Sequence, residues 1–212
     1  MTKVAVLDDY QEVALGMADW KSLPSGTEVT VFKNHLSDEC DVSKRLAEFE
    51  VVSAMRERTP FPKRLLENLP NLKLLVTTGM RNASIDIPAA SKLGITVCGT
   101  EGLGYPTAEL TWGLIVSLAR KISEENSSSR SGSWQTTLGI GLNGKTLGTL
   151  GLGNLGSQVA RIGNAFGMNV VSWSQNLTKS KAAENETTLV SFDELMEISD
   201  FLSIHTVLSD RT

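Results

Sequence analysis

Short apolar runs alternate with segments of helical period from the first residue onward. The stretches "KVAVLDD" (3–9), "EVTVFKN" (28–34), "FEVVSAM" (49–55), "LKLLVTTG" (72–79) and "ITVCGT" (95–100) are rich in Val and Ile and apolar on both faces. That is the pattern of strands buried on both sides in a parallel sheet. Between them the periodicity predicts helices over 12–20, 43–47, 62–68 and 88–93. Pro62 and Pro88 stand where a first helical turn tolerates proline, and Gly94 stands where a helix C-terminus favours glycine. Five strands separated by helices make an open doubly wound α/β unit, whose ligands gather at the carboxyl ends of the strands. Those ends read "DDY", "MRERT", "TTGMRN" and "GTEGLG".

A second unit of the same strand and helix grammar follows. Thr107 is placed to cap a helix running to about Ile122, apolar nearly all round and therefore covered on more than one side. Residues 123–144, "SEENSSSRSGSWQTTLGIGLNG", read as an irregular connection rich in Ser and Gly. Then come a strand over Thr146 to Leu150, a glycine turn, a helix from about Leu155 to Phe166 and the strand "NVVSW". A helix from Phe192 to Ile198 and a strand from Phe201 to Ile204 continue the alternation, and Ser209 or Asp210 offers the N-cap of a further helix.

Composition narrows the partners. The chain has 212 residues, a formal charge of −4 and no run of Lys or Arg, which argues against nucleic acid or an anionic membrane surface as partner. The longest apolar stretch, "AELTWGLIVSLA" (108–119), is shorter than the roughly 20 residues a membrane span requires. Cys40 and Cys98 form at most one bridge, and "MTKVAVLDDY" lacks the apolar core of a signal peptide, so a cytoplasmic protein with free thiols is expected. No metal site is expected. A small molecule or a second subunit is the partner that remains.

Gly151, Gly153 and Gly156 fit G-x-G-x-x-G between a strand and an amphipathic helix. In that setting the first glycine allows the tight turn, the second lets the backbone approach a pyrophosphate, and the third lets the helix pack on the strand. The phosphate oxygens would face the amides of Asn154 and Leu155 at the positive end of the helix. The acid that usually holds the ribose hydroxyls is replaced by Ser174 in "VVSWSQN". A serine still bonds a ribose and removes the carboxylate that would repel a 2′-phosphate, so NAD and NADP both stay open as cofactors. Lys179 and Lys181, read as part of a polar loop, either face such a phosphate or are simply solvated.

Several longer stretches then converge. "MRERTPFP", "LKLLVTTGMRNASIDIPAASKLGITV", "AELTWGLIVSLAR", "SGSW", "LNGKTLGTLGLGNLGSQVARIGNAFGMNVVSWS" and "SDFLSIHTVLSDRT" span the chain in order. Together they resemble the D-isomer-specific 2-hydroxyacid dehydrogenase family, in its D-3-phosphoglycerate dehydrogenase-like branch. The resemblance implies an α/β chain with a flavodoxin-like parallel-sheet domain that binds substrate over 1–103. A partial Rossmann NAD(P)-binding domain would occupy 104–212. It implies hydride transfer between a nicotinamide cofactor and a 2-hydroxy or 2-oxo acid, in a homodimer. Asn154 and Leu155 fall on the pyrophosphate turn, Ser174 on the ribose position, and His205 and Thr206 on the loop beside the adenosine. Met80 and Thr107 fall where the nicotinamide half approaches. Arg56 matches an arginine that helps bind an anionic substrate. Gly79, Met80 and Arg81 lie where backbone amides hold the substrate carboxylate, although "GMRNAS" departs from the usual second glycine and acid.

Hydride transfer to an oxo acid also needs an anion clamp and an acid/base tuned near neutrality, most often a histidine oriented by a carboxylate. Of the two histidines, His35 reads as an ordinary surface residue and His205 as a cofactor-side strand end. The family's catalytic arginine, glutamate and histidine have no counterpart before Thr212 and are expected beyond it. The sequence also supplies about one mononucleotide half, which leaves an apolar edge on the last strand. The expectation is therefore an enzyme represented by its amino-terminal part. The alternative is a catalytically silent NAD(P)-binding sensing or interaction module.

Overall fold

The computed structural model describes residues 1–207, so the cap expected at Ser209 or Asp210 lies outside the described residues. Its contacts divide the chain into two units, Met1–Gly102 and Leu103–Thr212.

The first unit is built on five parallel strands, β1 (Thr2–Val6), β2 (Thr27–Val31), β3 (Val51–Ala54), β4 (Leu74–Thr77) and β5 (Thr96–Gly99), in the order β2-β1-β3-β4-β5. This is the flavodoxin-like order, with its topological switch between β1 and β3. Each predicted strand is present and shorter than the apolar run that marked it. The residues past each strand's end turn away at the carboxyl edge, and Asp8, Asp9, Arg56 and Gly79 all lie there. Ala5, Leu7, Val52, Ala54 and Leu75 point to one face and pack with Val42, Leu46, Leu65, Leu66, Ala89 and Ala90. The last six come from α1 (Glu39–Leu46), from α2 (Lys63–Glu67) and from α3 (Ile87–Lys92).

Local chemistry moved several helix boundaries. The helix expected over 12–20 is two separate 3-10 turns, Ala14–Gly16 and Trp20–Ser22. Asp9 captures the amides of Val13 and Ala14 at 3.1 and 3.0 Å, and Glu12 is left-handed at φ +57°. A side chain bonding to nearby backbone thus wins over helix propagation. α1 begins before the expected Ser43, because the Asp38 side chain accepts from the Asp41 amide at 3.0 Å and sets the N-cap there. Pro62 is the N-cap of α2 rather than a residue of its first turn.

The second unit opens with α4 (Pro106–Arg120) and α5 (Ile122–Arg130), separated by Lys121 at φ +55°. Thr107 is not the cap of α4. That position is Tyr105, and Pro106 starts the helix with a φ already helical. α5 replaces the first part of the expected irregular connection. Glu124 and Glu125 sit in its first turn and Arg130 in its last, charges placed to favour the helix dipole despite the serines. Its parallel sheet contains β6 (Thr146–Leu150), β7 (Asn169–Trp173), β8 (Thr188–Leu189) and β9 (Phe201–Ile204), in the order β8-β7-β6-β9. The crossovers are α6 (Asn154–Ala165), α7 (Lys179–Glu184) and α8 (Phe192–Ile198).

That order is one mononucleotide half of a Rossmann sheet plus the first strand across its switch point. β8 and α7 were not expected. Lys179 and Lys181 therefore stand on a helix capped by Thr178 rather than in a loop, and Lys181 pairs with Glu184 at 3.5 Å. α4 and α6 meet on one face, where Ala108, Trp112, Ile115, Leu147, Val159, Ala160 and Val170 form the core. Among the described residues β9 is an outer strand, and Leu202 and Ile204 on it are 40% and 65% exposed. No described helix is long and apolar enough to cross a membrane.

Candidate functional site

The three glycines of the turn after β6 have different reasons to be glycine. Gly151 has φ +99°, and a Cβ on it would stand 2.9 Å from the His205 carbonyl carbon and 3.0 Å from Thr206 Cγ2. A Cβ on Gly156 would stand 2.0 Å from the Gly151 carbonyl oxygen. Both are required by the protein's own packing. Gly153 is not: a Cβ there meets nothing within 4 Å. It is the N-cap of α6, with no side-chain cap and no acidic residue in the first turn. The open space in front of Gly153 is thus faced by first-turn amides, including those of Asn154 and Leu155, in the positive field of a three-turn helix. A pyrophosphate fits this cradle, since no carboxylate of the first turn competes for the amides.

The switch point of the sheet lies at the same place. The His205 amide donates to the Leu150 carbonyl at 2.8 Å, which brings the ends of β6 and β9 together at Gly151. His205 Nε2 bonds Ser203 Oγ at 2.9 Å, and burial pushes its pKa below the ordinary 6.5. Ser174 follows β7 and is half-buried, one strand over from Gly151. Gly151, Gly153, Asn154, Leu155, Gly156, His205 and Thr206 are brought together by this crossing, with Ser174 at the neighbouring strand end. Thr107 sits in the first turn of α4, its carbonyl accepting from Thr111 Oγ1 at 2.8 Å.

The family known as D-isomer specific 2-hydroxyacid dehydrogenase, NAD binding domain, matches residues 112–212. The crystal structure of a phosphoglycerate oxidoreductase from Vibrio cholerae o395 superposes with a TM-score of 0.91 at 38% identity, covering 100% of this chain and 69% of that one. The chain belongs to the D-isomer-specific 2-hydroxyacid dehydrogenase family. It is 39% identical over 158 residues to the glyoxylate reductase of Aeropyrum pernix, covering 70% of this chain and 47% of that protein. It is 32% identical to the D-3-phosphoglycerate dehydrogenase of Methanocaldococcus jannaschii, over 100% of this chain and 40% of that protein. The chain thus spans about half the length, or less, of these two curated relatives.

A second cluster in this family member occupies the carboxyl ends of β3, β4 and β5, within the first unit. Arg56 is left-handed at φ +51°, and its amide donates to Thr78 Oγ1 at 3.0 Å. Its guanidinium lies beside Gly79, where a Cβ would stand 3.2 Å from Nη1. Met80 is 70% exposed and Arg81 is exposed. Met80, Arg81, Asn82, Ala83 and Gly99 help line a cavity of about 350 Å³. Among the described residues neither Arg56 nor Arg81 enters an ion pair, so two cations at this edge are uncompensated.

Asn82, Thr78 and Thr100, which hold this edge together, were missed from sequence. The available signal was a polar run directly after an apolar strand, "TTGMRN". His35 is also more than an ordinary surface residue. Its Nδ1 lies 3.0 Å from Oδ1 of Asp8, a 2% exposed carboxylate whose other oxygen accepts from Thr59 Oγ1 at 2.7 Å. Cys40 and Cys98 are free and exposed. Among the described residues no group of three or more His, Cys, Asp and Glu side chains is placed to hold a metal ion.

Proposed function

We propose that the chain carries the dinucleotide-binding turn and the substrate-anion edge of an NAD(P)-dependent 2-hydroxyacid dehydrogenase, acting on a small 2-hydroxy or 2-oxo acid. The observation that carries this reading is the open space at Gly153, a glycine with no internal packing reason, at the switch point of the second sheet. A bound nicotinamide ring would accept or donate the hydride. In this reading Asn154 and Leu155 bind the pyrophosphate through their amides, Ser174 bonds the ribose, and Thr206 and His205 form the floor beside it. Thr107 approaches the nicotinamide half.

Arg56 and the Gly79–Arg81 turn bind the substrate carboxylate, the guanidinium supplying a charge-assisted clamp and the Met80 and Arg81 amides orienting it, while Thr100 holds the Gly79 amide. The first unit is the substrate domain and the second the NAD(P)-binding domain. Neither histidine is assigned the proton transfer: His205 bonds Ser203, and His35, though paired with Asp8, follows β2, across β1 from the edge formed by Arg56 and Gly79. Two exposed thiols suit a cytoplasmic setting. The relatives are named as reductases and dehydrogenases, which supports an enzyme ahead of a silent binding module.

Titrating NADH and NADPH into the 212-residue chain, followed by the fluorescence of Trp173 at the end of β7, tests the reading. Saturable binding of at least one is expected, without turnover of glycerate or glyoxylate. Absence of binding by both would overturn it, and turnover by the chain would overturn the exclusion of its histidines from proton transfer.

A further inference from the structure

A left-handed backbone disfavours any residue with a Cβ and persists only where neighbours over-determine it. Arg56 is such a residue, and its surroundings show what holds it. Its amide is fixed by Thr78, and its carbonyl accepts from Asn82 Nδ2 at 2.7 Å. Asn82 is 8% exposed and uses both ends of its amide. Nδ2 also donates to Thr77 Oγ1 at 2.8 Å, while Oδ1 accepts from the Ser84 amide at 2.9 Å and from Ser84 Oγ at 2.6 Å. One buried side chain therefore joins the end of β3, the end of β4 and the turn that follows.

The opposite wall is equally fixed. Gly79 has φ +100°, and its amide donates to Thr100 Oγ1 at 3.0 Å. Gly99 on β5 makes room for it, because a Cβ there would stand 2.7 Å from the Gly79 carbonyl oxygen and 2.8 Å from Met80 Cα. The Arg56 guanidinium rests against this braced turn with no carboxylate partner among the described residues. A strained arginine that gains no ion pair of its own is what a preorganised anion receptor requires.

We propose that Asn82 is a positioning residue that acts through Arg56, its amide holding the left-handed turn that sets the guanidinium beside Gly79 to receive the carboxylate of a 2-oxo acid. The proposal rests on the reading of Arg56 and the Gly79–Arg81 turn as substrate contacts. Asn82→Asp keeps an acceptor for Ser84 but puts an oxygen where the Arg56 carbonyl needs a donor. Asn82→Ala removes the same donor without burying a charge, and serves if the aspartate variant loses the native amide spectrum.

The test is oxalate titration of the 212-residue chain, read by ¹H–¹⁵N NMR at the Gly79 amide and the Arg56 Nε–H. In the wild type both signals should move along one saturating curve. Either Asn82 variant should weaken oxalate about tenfold, the worth of one hydrogen bond to a site of this kind, and shift the Arg56 Nε–H signal before any oxalate is added. Arg56→Ala should weaken it by a comparable factor. The double variant should be no more than about twofold weaker than Arg56→Ala, because residues acting through one another are not additive. Additive losses, or unchanged affinity in both Asn82 variants while Arg56→Ala weakens binding, would overturn the positioning role and leave the substrate site standing. No saturable oxalate shift in the wild type, or none lost in Arg56→Ala, would sink the substrate-site reading and the proposal with it.

Discussion

At the scale of single residues, the three glycines of one motif separate into two that the fold's own packing requires and one, Gly153, that it does not. Alanine at Gly151 must adopt φ +99° and meets His205 and Thr206, so Gly151→Ala should cost about 1–3 kcal/mol of stability. Gly156→Ala, with a Cβ 2.0 Å from the Gly151 oxygen, should cost at least as much. Gly153→Ala exchanges a tolerated N-cap residue for a poor one and should cost about 1 kcal/mol or less, and it should weaken NADH binding by filling the cradle. Urea denaturation and NADH titration of the three variants check this, and a Gly153 variant that binds like wild type would remove the main support for the cofactor site.

His205 gives a second prediction. Burial lowers its pKa below 6.5, so the unfolded chain takes up this proton at higher pH than the native state. Its contribution to stability is fully present above the unfolded value and is lost as pH falls towards the lower folded one. Between about pH 7 and pH 5, a window around the ordinary histidine value, melting temperature should fall less steeply in His205→Asn than in wild type. Identical slopes would contradict the assignment.

At the scale of elements, what was legible followed from hydrophobic pattern, and what was not followed from side-chain competition for the backbone. All five strands of the first sheet, and β6, β7 and β9 of the second, stand where short apolar runs and the glycine turn placed them. β8 did not, because Thr188 and Leu189 are too few to show a period. The turn at Asp9 defeated an expected helix, and the dipole-matched ends of α5 made a helix from a serine-rich stretch that composition alone reads as loop. For the sites, the glycine turn was readable because spacing between a strand and a helix carries its physics. The edge at Arg56 was readable only in part: Arg56 and Gly79 stood out, but Asn82 acts through bonds between segments distant in sequence, and no local pattern announces such a bond.

At the scale of the whole molecule, the remaining question is what covers α4. Ala108, Trp112, Ile115 and Ala119 face the core, while Leu110, Leu114 and Leu118, at a spacing of four, are 65%, 56% and 69% exposed. The patch continues past the helix end, where the Ile140 amide donates to the Ala119 carbonyl at 2.7 Å and Leu138 and Ile140 are 92% and 50% exposed. Contiguous apolar surface of this kind marks an interaction site, and we propose as its occupant a second copy of the chain, the homodimer that the family resemblance implies. A two-fold contact buries five such side chains from each protomer, roughly 20 kcal/mol in all, against a cost of association of about 4–15 kcal/mol. The surplus is small enough for the dimer to be sensitive to one change. A carboxylate at Leu114 would be buried without a partner at several kcal/mol. Leu114→Glu should therefore sediment as a monomer at micromolar concentration, where the wild-type chain sediments as a dimer. Because Leu114 lies outside the core of its unit, the thermal stability of the variant should stay within about 0.5 kcal/mol of a wild-type monomer. A wild-type chain that is monomeric at every micromolar concentration would sink the dimer, whereas a Leu114→Glu dimer would move it to another face.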